Sequence, residues 1–230
     1  MNKNIIKEEL IKCKNKINKD FFVIGLGGIE SWAVALSAIE CFDIHNVLCV
    51  NIYSSYSNSM SPHKFSTMCQ TYGFQYCDVD ISKAITETLF LQIDLLRIEK
   101  EKLHYTMTDM QKYEMISMIR NTVLKGISDR NDAILLSGIS ESKIKNAWVS
   151  PSCSMFDWNP VYNLSHKEIK DVILDFNIGT EIIGDQSGLD LNSLGGPFPK
   201  DYNINLEEEI KKNKSNIKGL GLGIYQEFNQ

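Results

Sequence analysis

The chain has 230 residues, of which 43% are hydrophobic and 23% are charged, and its net charge is −5. This composition predicts one folded domain over residues 1–230 and excludes a disordered or fibrous chain. It also argues against nucleic acid as a partner, because such proteins carry a strongly basic surface, and no segment has the ~18 apolar residues needed to span a membrane. The six cysteines form no CxxC pair and no secretory signal is visible, so we expect a cytoplasmic protein with free thiols.

Apolar periodicity and turn residues predict an alternation of helices and strands along the chain. Residues 1–18 predict an N-terminal amphipathic helix. Strands are then predicted at 21–24, 46–52, 74–79 and 132–136, and helices at 29–42, 62–72, 82–100, 108–125 and 165–176. Such alternation predicts an α/β fold, a single-domain three-layer sandwich with a central parallel sheet. Residues 184–205 are rich in glycine and lack periodicity, which favours a lid or a mobile loop.

A glycine-rich segment, GLGGIES at residues 25–31, joins the first predicted strand to the first helix that follows it. Open α/β sheets bind their ligands at the carboxyl ends of the strands. Glycines there let backbone N–H groups approach an anion, and the start of the helix favours negative charge. We therefore interpret this segment as a phosphate-binding loop in preference to a tight turn without a ligand.

Three kinds of phosphate loop are compatible with such a position. A Walker loop needs a lysine after the glycines, and none is present. A dinucleotide fingerprint needs a third glycine where Glu30 stands, and an acidic end to the second strand, where Asn51 stands. The GxGGxGS loop of ubiquitin-activating-type adenylyltransferases matches except at Glu30 and stays open. The SGGxDS loop of ATP pyrophosphatases matches residues 26–31 with Leu26 in place of its first serine and Glu30 in place of its aspartate.

A series of weaker motifs narrows this choice. The sequence reads NVLCVNIYSSYSNS from residue 46, YGF at 72–74, VDI at 79–81, DMQ at 109–111, AILLSGISES at 133–142 and DWNP at 157–160, before the segment 178–191. In order and spacing, residues 20–190 resemble the NAD synthetase family of ATP pyrophosphatases. The segment 133–142 is similar to that family's strand and GTGNKSE motif, and residues 157–160 are similar to its DINP motif.

The resemblance implies an ATP-dependent amide-forming ligase. Such enzymes adenylate the carboxylate of nicotinic acid adenine dinucleotide, and ammonia then displaces AMP. The implied cofactors are ATP and Mg²⁺, the implied partners are nucleotides, and no catalytic side chain is assigned. The implied site consists of Gly27, Gly28, Ser31, Ser54, Ser137 and Gly138 for ATP and pyrophosphate, Glu30 and Glu141 for the metal, and Asp157 and Asn159 for the substrate.

The chain also departs from the family pattern. Leu26 lacks a hydroxyl, Glu30 is longer than aspartate, and Glu141 lies one residue before the family's acidic position, which turns a helical side chain by about 100°. The segment 149–154, VSPSCS, replaces a charged run. These departures support an alternative, a catalytically degenerate relative that serves as a nucleotide-binding or structural subunit.

Several of these residues, and the histidines, also have an interpretation in which they bind no ligand. Glu30 can act only as a favourable charge on the first turn of a helix. Asp157 and Asn159 stand beside Pro160, where turn formation explains them as well as a site does. The four histidines have no metal-ligand spacing, and we interpret them as solvated or helix-capping.

Two long helices at 84–98 and 110–124 match those through which NAD synthetases form homodimers. The first has two apolar stripes on roughly opposite sides, whereas packing against a sheet needs one. We expect a homodimer or a subunit of a larger assembly, with the shorter stripe facing the partner. The stripes are Ile85, Leu89, Ile93 and Leu96, and Leu91, Leu95 and Ile98.

Overall fold

The computed structural model describes residues 2–55, 61–97, 109–145 and 150–176. The predicted lid at 184–205 lies outside these residues. The elements are α1 (Asn2–Ile17), β1 (Phe22–Gly25), α2 (Ile29–Cys41), β2 (Val47–Tyr53), α3 (Pro62–Tyr72), β3 (Gln75–Asp80), α4 (Ser82–Arg97), α5 (Asp109–Arg130), β4 (Ile134–Leu136), α6 (Glu141–Lys145) and α7 (His166–Asp175), with short 3₁₀ turns at Ile44–Asn46 and Pro151–Met155.

The four strands form one sheet in the order β3-β2-β1-β4. All three pairings are parallel, and Phe22 of β1 is in register with Val47 of β2 and Ile134 of β4. The predicted α/β class with a central parallel sheet is therefore confirmed. Because the strands are parallel, the loops after β1, β2, β3 and β4 all leave from the same edge of the sheet.

Helices cover both faces of the sheet because strand residues alternate between two apolar clusters. Phe22 and Ile24 of β1 pack into a cluster with α1, α2, α3 and α7. Val23, which lies between them, packs into a second cluster with α4 and α5. This alternation places α2 and α7 on one face and α5 on the other, so the edge that carries the loops is bordered by helices from both layers.

Local sequence signals set several helix ends. Ser61 caps α3 through its side chain, and Gly73 ends that helix with a positive φ of 75°. Ser165 and Glu168 form a capping box at the start of α7. The prediction was wrong at the end of α5, which continues past Lys125 to Arg130. Apolar packing explains this difference, because Ile127 on the added turn packs against the α5-side core.

All six cysteines are free thiols, as the sequence predicted. Burial raises the pKa of Cys49 well above its usual range and raises the pKa of Cys13 to about 12. These thiols are therefore protonated packing groups rather than nucleophiles. Within the described ranges, no helix has the length and apolar character required to cross a membrane.

Candidate functional site

The loop between β1 and α2 lies at the carboxyl edge of the sheet. The N–H of Leu26 donates to the Val50 carbonyl at 2.8 Å, which anchors the loop to β2. Gly28 is the N-cap of α2 in an extended conformation and provides no side-chain cap. The N–H groups of Gly28 and Ile29 have no hydrogen-bond partner within the described part of the chain. The start of the 13-residue α2 therefore presents two donors and the positive end of a helix dipole.

The Ser31 hydroxyl is used inside this loop. It accepts a hydrogen bond from the Gly27 N–H at 3.0 Å and donates to the Gly28 carbonyl at 2.7 Å. The structure thus brings together Gly27, Gly28 and Ser31, three of the six residues predicted for ATP and pyrophosphate. The Gly27 N–H and the Ser31 hydroxyl stabilise the turn itself. The N–H groups of Gly28 and Ile29 are therefore the donors that remain for an anion.

The end of β4 packs directly against the start of α2. A Cβ added to Gly138 would lie 2.9 Å from the Ser31 backbone nitrogen, so only glycine fits there. Ser137, one residue earlier, is 1% exposed, and its hydroxyl has no hydrogen-bond partner. A buried hydroxyl without a partner is costly unless a ligand or water satisfies it. The two predicted site segments, 25–31 and 137–138, therefore form one structural unit.

Glu30 points into a polar cluster rather than into solvent. Its residue exposure is 3%, and Lys143 Nζ lies 3.2 Å from Oε2. Ser140 Oγ lies 3.5 Å from Oε1, and His166 Nδ1 lies 3.8 Å from the same oxygen, too far for a hydrogen bond. Burial alone would raise the pKa of Glu30, but the positive charge of Lys143, together with hydrogen bonding at the carboxylate, outweighs burial and lowers the pKa to about 2.

The geometry at Glu30 can be compared with what a metal ion needs. Across residues 2–55, 61–97, 109–145 and 150–176, no group of three His, Cys, Asp or Glu side chains lies close enough to hold a metal. A lysine ammonium already faces the Glu30 carboxylate. Glu141, the other predicted ligand, begins α6, and its N–H donates to the Leu164 carbonyl at 2.9 Å. These surroundings do not fit a metal held by Glu30 in the arrangement described.

The two predicted substrate residues play different structural parts. Asp157 accepts from the Leu135 N–H at 2.8 Å and from Lys125 Nζ at 3.1 Å, so it fastens its segment to the outer side of β4. Asn159 lies closer to the loops, and its amide donates to the Ile139 carbonyl at 2.8 Å. Its Oδ1 is buried without a partner. Only Asn159 therefore approaches the segment 137–140.

Ser54, which was predicted among the residues for ATP and pyrophosphate, directly follows β2 and is 7% exposed. The same edge carries Ser55, whose N–H donates to the Ser82 hydroxyl at 3.0 Å. Ser54 thus lies at the carboxyl edge of the sheet, at the end of the strand that pairs with β1.

A family model described as NAD synthase matches residues 2–193. The chain belongs to the NAD synthase family. No curated protein sequence matches it significantly.

Solved structures of NAD and NMN synthetases share the fold of this NAD synthase family member. An NMN synthetase from Francisella tularensis has a TM-score of 0.69 at 12% identity, covering 93% of this chain and 84% of the other. An NH3-dependent NAD synthetase from Campylobacter jejuni subsp. jejuni, in complex with nitrate, has a TM-score of 0.63 at 17% identity, covering 95% and 85%. A glutamine-dependent NAD+ synthetase from Acinetobacter baumannii, in complex with ADP, has a TM-score of 0.63 at 14% identity, covering 75% of this chain and 33% of that one.

Sequence reasoning missed Lys143 and His166 as neighbours of the loop in this NAD synthase family member. The sequence predicts that His166 is solvated or caps a helix. His166 begins α7, but its Nδ1 is buried beside Glu30. Lys143 is 16% exposed and follows the GISES segment directly. One signal for Lys143 was available in the sequence. This lysine comes immediately after a segment that was predicted to lie beside the phosphate loop.

Proposed function

We propose that this chain is an ATP-dependent ligase that adenylates nicotinic acid adenine dinucleotide and then forms the amide with ammonia. The supporting observation is the unit in which the first turn of α2 meets the end of β4. It offers the unpartnered N–H groups of Gly28 and Ile29 and the unpartnered hydroxyl of Ser137. The family membership supports this reaction class.

In the first step, a carboxylate oxygen of the dinucleotide attacks the α-phosphorus of ATP, and the bond from that phosphorus to the β-phosphate oxygen breaks. The N–H groups of Gly28 and Ile29 stabilise the pyrophosphate that leaves, because the start of a helix favours negative charge. Ser137 donates to the same anion, and Ser54 lies on the adenine side. In the second step, the nitrogen of ammonia bonds to the acyl carbon, AMP leaves, and the nitrogen loses a proton.

Asn159 takes a positioning role in this proposal. Its amide holds the Ile139 carbonyl at 2.8 Å, which keeps the segment after β4 against the loop. Asp157 acts at greater distance from the loops, through the backbone of β4. Mg²⁺ is a proposed companion of ATP. No step passes through a metal bound by Glu30 or Glu141, since the surroundings of Glu30 do not fit one.

The test is release of pyrophosphate from ATP in the presence of Mg²⁺, ammonium and the dinucleotide. We expect release that depends on the dinucleotide, and Ser137→Ala should weaken ATP binding. Ser37→Ala is the matched control, because Ser37 also has a buried, unpartnered hydroxyl but lies further along α2, beyond the segment 25–31. No release at high protein concentration would contradict the ligase, and equal weakening by both variants would contradict the role of Ser137.

The alternative is a catalytically degenerate member that binds nucleotide without turning it over. The observation that favours it is that polar groups of the loop already have partners within the protein. The Ser31 hydroxyl is hydrogen-bonded to Gly27 and Gly28, and the Glu30 carboxylate is paired with Lys143. Calorimetry with ATP, NAD and the deamido dinucleotide separates the cases. Binding without turnover supports a nucleotide-binding subunit, and no binding supports a structural subunit. A cytoplasmic location is also proposed, supported by the free thiols.

We also propose that the chain forms a homodimer through the outer faces of α4 and α5. Of the first predicted stripe, Ile85 is fully buried in the monomer and Leu89 packs against the same cluster. Of the second stripe, Leu91 is 65% exposed, and beside it Phe90 is 60% exposed. The side chains of Leu95 and Ile98 lie outside the described residues. Met118 of α5 is also exposed, at 49%, and exposed apolar side chains of this kind favour a partner.

Leu91→Lys should halve the mass seen by light scattering without unfolding the chain, because a charge would enter the apolar interface. The monomer should lose less than about 0.5 kcal/mol of stability, as is usual for exposed positions. Ile11→Lys, at a residue 48% exposed on α1, is the matched control and should leave the mass unchanged. A monomeric mass for the wild type would rule the homodimer out.

A further inference from the structure

Glu30 and Lys143 form a pair of opposite charges at the position where the phosphate loop turns into α2. The Glu30 side chain is 4% exposed and that of Lys143 is 16% exposed, with 3.2 Å between Nζ and Oε2. The other described groups that face this carboxylate are Ser140 and His166, which come from the segment after β4 and from α7. Lys143 is therefore the closest positive charge to Glu30 among the described residues.

A buried carboxylate needs a positive partner or several hydrogen-bond donors. Beside a phosphate loop, a divalent cation is one way to supply that charge, with oxygen ligands around it. In this chain the ammonium nitrogen already stands at ion-pair distance from one carboxylate oxygen. The Ser140 hydroxyl lies near the other oxygen. A side chain of the protein thus supplies positive charge beside the Glu30 carboxylate.

We infer that Lys143 is a built-in substitute for a metal ion beside Glu30, so that the start of α2 keeps its positive character and binds phosphate without a cation held by the protein. Without Lys143, the charge of Glu30 would oppose the dipole of α2 and repel an incoming anion. With it, the pair is close to neutral, and the N–H groups of Gly28 and Ile29 face the anion unopposed. The inference rests on the proposed function only for the identity of the anion. The replacement of a metal ion by Lys143 does not depend on whether the protein turns over a substrate.

The first experiment measures thermal unfolding without nucleotide, in Mg²⁺ and in a metal chelator at matched ionic strength. Wild type should show no difference between the two. Lys143→Met exposes Glu30 to an incoming cation, so Mg²⁺ at roughly ten times its dissociation constant should raise the Tm by about 3 °C. The double variant Glu30→Gln with Lys143→Met lacks the carboxylate and should show no Mg²⁺ response.

A purely structural ion pair gives a different result. Lys143→Met would then be destabilised equally in Mg²⁺ and in chelator, and this outcome would overturn the inference. A Mg²⁺ response in the wild type would also overturn it, because a cation would then bind despite Lys143.

The second experiment uses inorganic pyrophosphate as the probe, with calorimetry in chelator. Lys143→Met should bind it about tenfold more weakly than wild type, a factor equal to about 1.4 kcal/mol. If that variant does not fold, Glu30→Gln carries the test, because it releases Lys143 toward the anion and should tighten binding. Unchanged or weaker binding by Glu30→Gln would count against the inference. Failure of the ligase assay alone leaves both experiments intact, so the two hypotheses fail separately.

Discussion

Two lysine–carboxylate pairs in this chain have the same chemistry and different surroundings. Asp157 and Lys125 are 29% and 33% exposed, and the second oxygen of Asp157 is satisfied by the Leu135 N–H at 2.8 Å. Glu30 and Lys143 are 4% and 16% exposed. The first carboxylate therefore depends on backbone and solvent, whereas the second depends on a single side chain for its charge. Both carboxylates were predicted as site residues, and their surroundings give them different tasks.

Lys143→Met tests how far Glu30 depends on Lys143 for its charge. Of the variants below, it should lower the stability most. Removing one partner leaves an unpaired buried charge, which typically costs about 3 to 5 kcal/mol. Urea unfolding in metal chelator measures this loss. The double variant that adds Glu30→Gln should recover most of the stability. A single-variant loss below about 1 kcal/mol, the value of an exposed pair, would show that water reaches Glu30.

Asp157→Ala tests the second pair and should lower the free energy of unfolding by about 2 kcal/mol. Most of that loss comes from the Leu135 N–H, which would lose its acceptor in the core. Asp157→Asn keeps an acceptor and removes the charge, so it should cost about 0.5 kcal/mol. If the two variants were equally unstable, the charge of Lys125 would matter more than the backbone contact.

The fold followed from the sequence because its signals are local. Apolar runs and alternation marked the four strands, Gly73 marked the end of α3, and Ser165 marked the start of α7. The end of α5 was missed because tertiary packing of Ile127 extends that helix beyond its local pattern. Propensity is a weak guide where packing decides.

The site was predicted less completely because its contacts join distant segments. The glycine loop and Gly138 could be placed at one edge from the rule that parallel strands end together. The pairing of Glu30 with Lys143 depends on how α6 lies against α2, and no spacing in the sequence encodes that. For Asp157, proline beside it favoured a turn, yet its actual bonds are to β4.

Gly138 and Gly27 both lie in the predicted site for ATP and pyrophosphate, but they differ in the room available for a side chain. A Cβ on Gly138 would lie 2.9 Å from the Ser31 nitrogen, whereas a Cβ on Gly27 would meet nothing within 4 Å. Gly138→Ala must push the end of β4 away from α2, at a cost of about 1 to 2 kcal/mol. It should also weaken pyrophosphate binding, since it separates Ser137 from the N–H groups of Gly28 and Ile29.

Gly27→Ala is the matched variant with the smallest expected effect on stability. It should change the free energy of unfolding by less than about 0.5 kcal/mol, because the added methyl group enters open space. If that space is where the anion lies, Gly27→Ala should nevertheless weaken pyrophosphate binding in calorimetry. Lost binding with retained stability would mark the face of Gly27 as part of the site. Unchanged binding in Gly27→Ala together with lost binding in Gly138→Ala would place the anion toward β4, beside Ser137.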